Sequence, residues 1–199
     1  MTLLFLAVFG GVAHAGKFNP LLKIGDVAPS FKELPGVDGK PHSFEDFKQY
    51  DVLVVAFTCN SCPTAVDYED RMMALVKQYA SAGKFALVAI NPNRVAADQM
   101  AQMQERAELK KFNYLYVRDD SQQVAKEYGA SYTPEFFVLD KDRKIVYMGA
   151  MDDNTDAAMV TTKYVEEGVA AAFSGKAPAV AETAARGCAV RFVRERKKQ

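Results

Sequence analysis

Cys59 and Cys62, in the run Thr58-Cys59-Asn60-Ser61-Cys62-Pro63, are the residues of this chain whose type and spacing are best suited to chemistry. Thiols three positions apart can close a small disulfide, and attack of a thiolate on a disulfide sulfur is the elementary step of thiol–disulfide exchange. The motif lies between an apolar run and a helical pattern. Cys59 is therefore expected at a helix start, where unpaired amides and the helix dipole stabilise its thiolate. Cys62, one turn further in, is expected to be shielded and suited to resolving a mixed disulfide. Pro63 fits the first helical turn, where a missing amide costs nothing. Two plainer readings stand beside this one. A structural disulfide more often closes a longer loop, because its stabilisation grows with loop length. A zinc site wants four ligands, and the remaining candidates are the distant Cys188 and His42.

A second pair, Thr133-Pro134, lies between a helical segment ending at Gly129 and the apolar run Glu135–Leu139. A proline just ahead of a strand has no amide for the ladder and is a position at which a cis bond is found. The elements that must position these residues follow from periodicity. Val52–Phe57 and Phe85–Ile90 are continuous apolar runs of the kind buried on both faces of a parallel sheet. Residues 64–82, 95–112, 121–128 and 156–173 read as helices, and Gly83 and Gly129 as their stops. Tyr114–Val117 is a short strand. Glu135–Leu139 and Lys144–Met148 form a hairpin around residues 140–143. The order is α/β with a mixed central sheet flanked by helices.

Composition excludes several function classes. The 199 residues suit one domain, with 25 Lys and Arg balancing 25 Asp and Glu. A nucleic-acid binder usually carries a basic surplus, so no nucleic-acid partner is expected. Three cysteines are too few to staple a small fold, and two histidines leave little for histidine-rich metal chemistry. Leu3–Val12 is apolar and Ala13-His14-Ala15 has a small-x-small pattern, which reads as a signal peptide over residues 1–15 and export to an oxidising compartment, periplasmic or extracellular. No Lys or Arg precedes that run, so either the α-amino group supplies the charge or translation starts upstream. The run is too short to span a bilayer, and a membrane-spanning protein is not expected. Residues 16–175 are expected to form the domain. Residues 176–199 form a tail with a basic end, read as solvated. Its Cys188 can pair between chains, stay buried or react with Cys59.

Taken in order, the buried strand, the Cys59-x-x-Cys62 helix start and Thr133-Pro134 before a hairpin resemble the thioredoxin-like fold. Ile24-Gly25-Asp26-Val27-Ala28-Pro29-Ser30-Phe31 and Gly36-Val37-Asp38-Gly39-Lys40 are similar to the redoxin branch with its N-terminal extension. That branch groups AhpC/TSA-type peroxiredoxins with exported TlpA/ResA-like thiol–disulfide oxidoreductases. The resemblance spans residues 23–149. It implies that Cys59 is the nucleophile, that Cys62 resolves, and that Pro134 is the cis-proline packed on the disulfide. It also implies that the backbone of Thr133 pairs with a substrate strand. Cysteine-containing proteins and a redox partner protein are the implied partners. No bound cofactor or metal is implied, because electrons move through the cysteines.

Three departures matter. The carboxylate usual on the preceding strand is missing from Leu53–Ala56, leaving Asp67, Glu69, Asp70 or Glu135 as substitutes. The tryptophan usual before the first cysteine is absent, with Phe57 and Thr58 in its place. The peroxidase pattern Pro-x-x-x-Thr/Ser-x-x-Cys is not met, since Ala56 stands three before Cys59 and Cys59 three before Cys62. A thiol peroxidase is thus a second reading. A copper-binding chaperone, drawing on Met148, Met151 and Met159, is a third; the cysteine spacing and the lack of a late histidine weigh against it.

Overall fold

A computed structural model describes residues 16–193. The expected signal peptide and the basic end of the tail lie outside the described residues. In chain order the elements are β1 (Leu34–Pro35), β2 (Pro41–His42), β3 (Val52–Phe57), α1 (Pro63–Asp67), α2 (Glu69–Tyr79), β4 (Phe85–Asn91), α3 (Met100–Lys110), β5 (Leu115–Arg118), α4 (Gln123–Glu127), β6 (Tyr132–Thr133), β7 (Glu135–Leu139), β8 (Ile145–Gly149), α5 (Tyr164–Ser174) and β9 (Cys188–Ala189).

Five of these strands form the central sheet in the order β5-β4-β3-β7-β8. β3 pairs parallel with β4 and, over Leu53–Phe57, antiparallel with β7, and its six residues are wholly buried. Because strand side chains alternate, the same run supplies two cores. Leu53, Val55 and Phe57 pack with Phe31, Phe44, Val88, Tyr128 and Phe137 on one face. Val52, Val54 and Ala56 pack with Tyr68, Met72, Phe136, Val138, Val165 and Val169 on the other. The mixed α/β sheet and the 140–143 hairpin are as expected. The Asp140 side chain holds that turn by accepting from the amides of Asp142 and Lys144, each at 2.9 Å.

Helix bounds differ from periodicity in three places, each with a local cause. The span 64–82 is two helices meeting at Tyr68, whose ring is buried and whose hydroxyl donates to Asp152 at 3.0 Å. In 95–112, a short 3-10 turn over Ala96–Asp98 precedes α3, because Asp98 is drawn inward. In 156–173, the Asp156 side chain caps only a 3-10 turn, and α5 begins eight residues later, at Tyr164. Between them the β-branched run Val160-Thr161-Thr162 leaves the helix, with Asp153 accepting from the Thr161 amide at 2.9 Å.

The tail packs on the domain. The Thr183 amide donates to the Met148 carbonyl at 3.1 Å, and its hydroxyl accepts from the Ala150 amide at 2.9 Å. Glu182 accepts from the amides of Lys17, Phe18 and Asn19, which ties the N-terminal stretch to the same edge. Beyond β9, the Val190 amide donates to the Ser131 carbonyl at 2.9 Å. Gln122 then accepts from the Val193 amide and donates to the Arg191 carbonyl. No helix among the described residues is long and apolar enough to cross a membrane.

Candidate active site

β3 ends at Phe57, and the Thr58 amide extends its ladder by donating to the Ile90 carbonyl at 2.9 Å. The chain then leaves the carboxyl end of the parallel pair β3/β4, the edge at which open α/β sheets place their sites. The next residues carry both cysteines. Cys59 and Cys62 are free thiols, 2% and 1% exposed, and pack with Ala65. Across from them runs β6 and the Thr133–Pro134 bond, which is cis. The Cys59 sulfur lies 3.2 Å from Thr133 Oγ1, and the Cys62 thiol donates to the Thr133 carbonyl at 3.0 Å. Cys59, Cys62, Thr133 and Pro134, 71 or more residues apart between the pairs, are thus brought into one cluster.

The loop owes its shape to a residue that the sequence reading left aside. Asp98 is fully buried and its carboxylate accepts from the amides of Asn60 (2.7 Å) and Ser61 (3.1 Å) and from the Ser61 hydroxyl (2.6 Å). Asn91 donates to the same carboxylate, and the Tyr116 hydroxyl donates to Asn60 Oδ1 at 3.0 Å. The Asn60 side-chain amide donates to the Ala97 carbonyl at 3.0 Å, so every donor of the two residues between the cysteines meets an acceptor on Ala97 or Asp98. Ser61 Oγ is also 3.6 Å from Cys59 Sγ, which makes a chain of Cys59, Ser61 and Asp98 along which a proton can be passed. The signal for Asp98 was weak: a single carboxylate in an amphipathic segment that periodicity assigned to a surface helix.

The other carboxylates considered as substitutes are engaged elsewhere. Glu69 is held by both arms of Arg106 at 2.8 Å, Asp70 pairs with Lys110, and Asp67 is exposed. Glu135 is buried beside Pro134, but it accepts from the amides of Ser131 and Tyr132 and holds the turn before β6.

The electrostatics of the two thiols correct the expectation for Cys59. The N-cap of α1 is Cys62, not Cys59, and α1 has only five residues. Burial pushes the Cys59 thiol above the usual range and the Asp98 charge adds to it, outweighing the hydrogen bonds from Thr133 and Ser61. Burial also acts on Cys62, but hydrogen bonds from the Cys188 thiol, the Ala65 and Cys188 amides and Thr133 outweigh it and hold that thiol below the usual range. The tail explains the difference. β9 pairs antiparallel with β6 in the register Thr133↔Cys188, so Cys188 stands over the cluster.

Of the methionines weighed for copper, Met148 and Met151 lie in opposite cores and Met159 is exposed. The described residues contain no group of three or more His, Cys, Asp or Glu side chains able to hold a metal ion.

A mixed sheet ending in a buried thiol pair opposite a cis-proline turn defines a thioredoxin-like redox protein. The family model for redoxins matches residues 23–165, and the chain belongs to the redoxin family. Similar solved structures include a hypothetical protein from Sinorhizobium meliloti 1021, 28% identical over 88% of this chain and 97% of that one, with a TM-score of 0.80. An uncharacterized conserved protein from Geobacillus kaustophilus is also 28% identical, over 89% and 96% of the two chains, with a TM-score of 0.81. Peroxidoxin BcpB from Mycobacterium tuberculosis shares the fold at 21% identity and a TM-score of 0.61, over 77% of this chain and 97% of its own. No curated protein matches the chain in sequence.

Proposed function

We propose that this protein is an exported thiol–disulfide oxidoreductase that exchanges disulfides with protein partners through the Cys59/Cys62 couple. The observation that carries the reading is the placement of both sulfurs within hydrogen-bonding distance of one residue, Thr133, at the cis-proline turn. Cys59 forms the mixed disulfide with a partner cysteine. Cys62 then attacks the Cys59 sulfur, closes the intramolecular disulfide and releases the partner as a thiol. The Ser61–Asp98 chain is placed to take the Cys59 proton and return it.

The peroxidase reading is weaker on a specific point. Activating a thiolate toward peroxide calls for a neighbouring cation, whereas the Asp98 carboxylate and the Cys62 thiol both act to raise the Cys59 thiol. The Arg118 guanidinium nearby is turned to the Asp98 carbonyl and to Asp120.

Two variants test the proposal with a disulfide-bonded protein as substrate. Cys59→Ser is expected to abolish turnover. Cys62→Ser is expected to accumulate a mixed disulfide on Cys59, visible by mass spectrometry under non-reducing conditions. Equal turnover by both variants would sink the assignment, and steady turnover of peroxide by the wild type, exceeding that of disulfides, would favour the alternative.

A further inference from the structure

The expected edge for a substrate strand is the backbone of Thr133, and in this structure that edge is taken by the chain's own tail. Cys188 occupies the register position opposite Thr133, and the Thr133 hydroxyl donates to the Cys188 carbonyl at 3.5 Å. That register sets Cys188 beside the two sulfurs, near enough for Cys62 and Cys59 both to act on its ionisation. The tail is built to sit there. A Cβ on Gly187 would fall 2.1 Å from the Thr133 carbonyl oxygen and 2.9 Å from Pro134, so only glycine allows the approach that delivers the next residue to the thiols. On the far side, Val190 is buried and bonded to Ser131, and Arg191 donates from its amide to Asn93. Upstream, Thr183 is pinned on β8. A cysteine fixed at both flanks has a high effective concentration at the sulfur it faces.

We propose that Cys188 is a third redox-active thiol of this site and that its disulfide partner is Cys62. The inference rests on the reading of Cys59 and Cys62 as the exchanging couple. Starting from the Cys59–Cys62 disulfide, the Cys188 thiolate attacks the Cys62 sulfur. The Cys59–Cys62 bond breaks, the Cys62–Cys188 bond forms, and Cys59 leaves as a thiolate that takes up the proton Cys188 gave away. One disulfide and one thiol are present before and after, so no external oxidant or reductant is consumed. The hydrogen bond to Cys62 is the leading cause that holds the Cys188 thiol up in the reduced protein, and it is absent once Cys62 is in a disulfide. The product has a free Cys59 and a tail locked covalently over the β6 edge. A partner strand pairs with that edge only after the Cys62–Cys188 bond is reduced and β9 has left.

The test is equilibration of the purified protein in graded glutathione and glutathione disulfide, followed by alkylation and non-reducing peptide mapping. The wild type is expected to show a Cys62–Cys188 linked peptide beside the Cys59–Cys62 one. Cys59→Ser, given glutathione disulfide, is expected to form the Cys62–Cys188 bond within one chain and release two glutathiones per disulfide consumed. Adding Gly187→Ala to Cys59→Ser is expected to lower the yield of that link at least tenfold in the same buffer, because the tail loses its register. Persistent glutathione on Cys62 or Cys188 in Cys59→Ser, with the Cys59–Cys62 disulfide still forming in the wild type, would overturn the role of Cys188 and leave the couple standing. Absence of the Cys59–Cys62 disulfide from the wild type would overturn the couple itself, and an unchanged link in the Gly187→Ala background would overturn the docked register.

Discussion

At the scale of single residues, the most consequential side chain is Asp98. Its buried carboxylate holds the Asn60 and Ser61 amides, and its negative charge opposes ionisation of Cys59. Asp98→Asn keeps an acceptor oxygen but removes the charge, so the Cys59 thiol becomes more acidic. Alkylation of Cys59 at pH 8 in this variant is expected to run roughly 3- to 10-fold faster than in the wild type, the size of a neighbouring-charge effect. A rate below wild type would mean that Asp98 acts as the proton acceptor more than as a repelling charge. Glu135 gives a pH-dependent counterpart. Burial raises its carboxyl above the ordinary range, and the Ser131 and Tyr132 amides only partly offset this. The native state thus keeps a proton that the unfolded chain has lost. The associated stability is full below the unfolded carboxylate range and declines as pH rises through the raised value. Glu135→Gln is expected to melt at a higher temperature than the wild type at pH 8, with the gap closing below about pH 4.5. A gap independent of pH would show that the side chain acts through shape alone.

At the scale of elements, two junctions hold the site in place. The first is between α2 and the loop after β8. Arg71 lies 3.9 Å over the Tyr68 ring and donates to Asp152 at 2.5 Å, and Asp152 also accepts from the Tyr68 hydroxyl. Asp152 is buried, and the hydroxyl beside it is pushed up to about 12, by burial first and by that carboxylate second. Asp152→Ala leaves a guanidinium without its anion, and a loss of about 3 kcal/mol is expected from urea unfolding. The second junction is the crossing of the tail over β8. Gly149 has φ +134, and a Cβ there would lie 2.2 Å from the Thr183 carbonyl oxygen. Gly149→Ala is expected to cost about 1–3 kcal/mol. It is also expected to raise proteolysis of the 181–193 segment, while Gly175→Ala, which meets no neighbouring atom, leaves that segment protected.

At the scale of the whole molecule, the prediction concerns how the tail and the domain unfold. Hydrogen bonds from Glu182, Thr183, Val190, Arg191 and Val193 reach the N-terminal stretch, β8, the turn before β6, the loop after β4 and Gln122. Such a strap makes the tail part of the domain's cooperative unit. Removal of residues 181–199 is expected to lower the Tm by several degrees and to expose Cys62 to alkylation within seconds at pH 8. An unchanged labelling rate would show that the thiols are shielded by the domain alone.

Local pattern was enough for the α/β order, the five strands of the central sheet and the strand-to-helix setting of the two thiols, because each rests on local physics. Continuous apolar runs such as Val52–Phe57 must be buried on both faces, and two thiols with Pro63 behind them mark a strand-to-helix junction. Thr133-Pro134 was legible for the same reason, as a residue pair that punctuates a strand. Tertiary structure alone decided the rest. Which cysteine caps α1 depends on where the helix hydrogen bonds begin, one turn later than the motif suggests. Asp98 reads as a surface charge until β4 and β5 bring it under the Cys59 loop. Cys188 is 126 residues from Cys62 in the chain, and no local pattern announces a strand over Cys188–Ala189. Long-range pairing of a short edge, allowed by the missing side chain of Gly187, is a property of the folded surface and not of the segment that joins it.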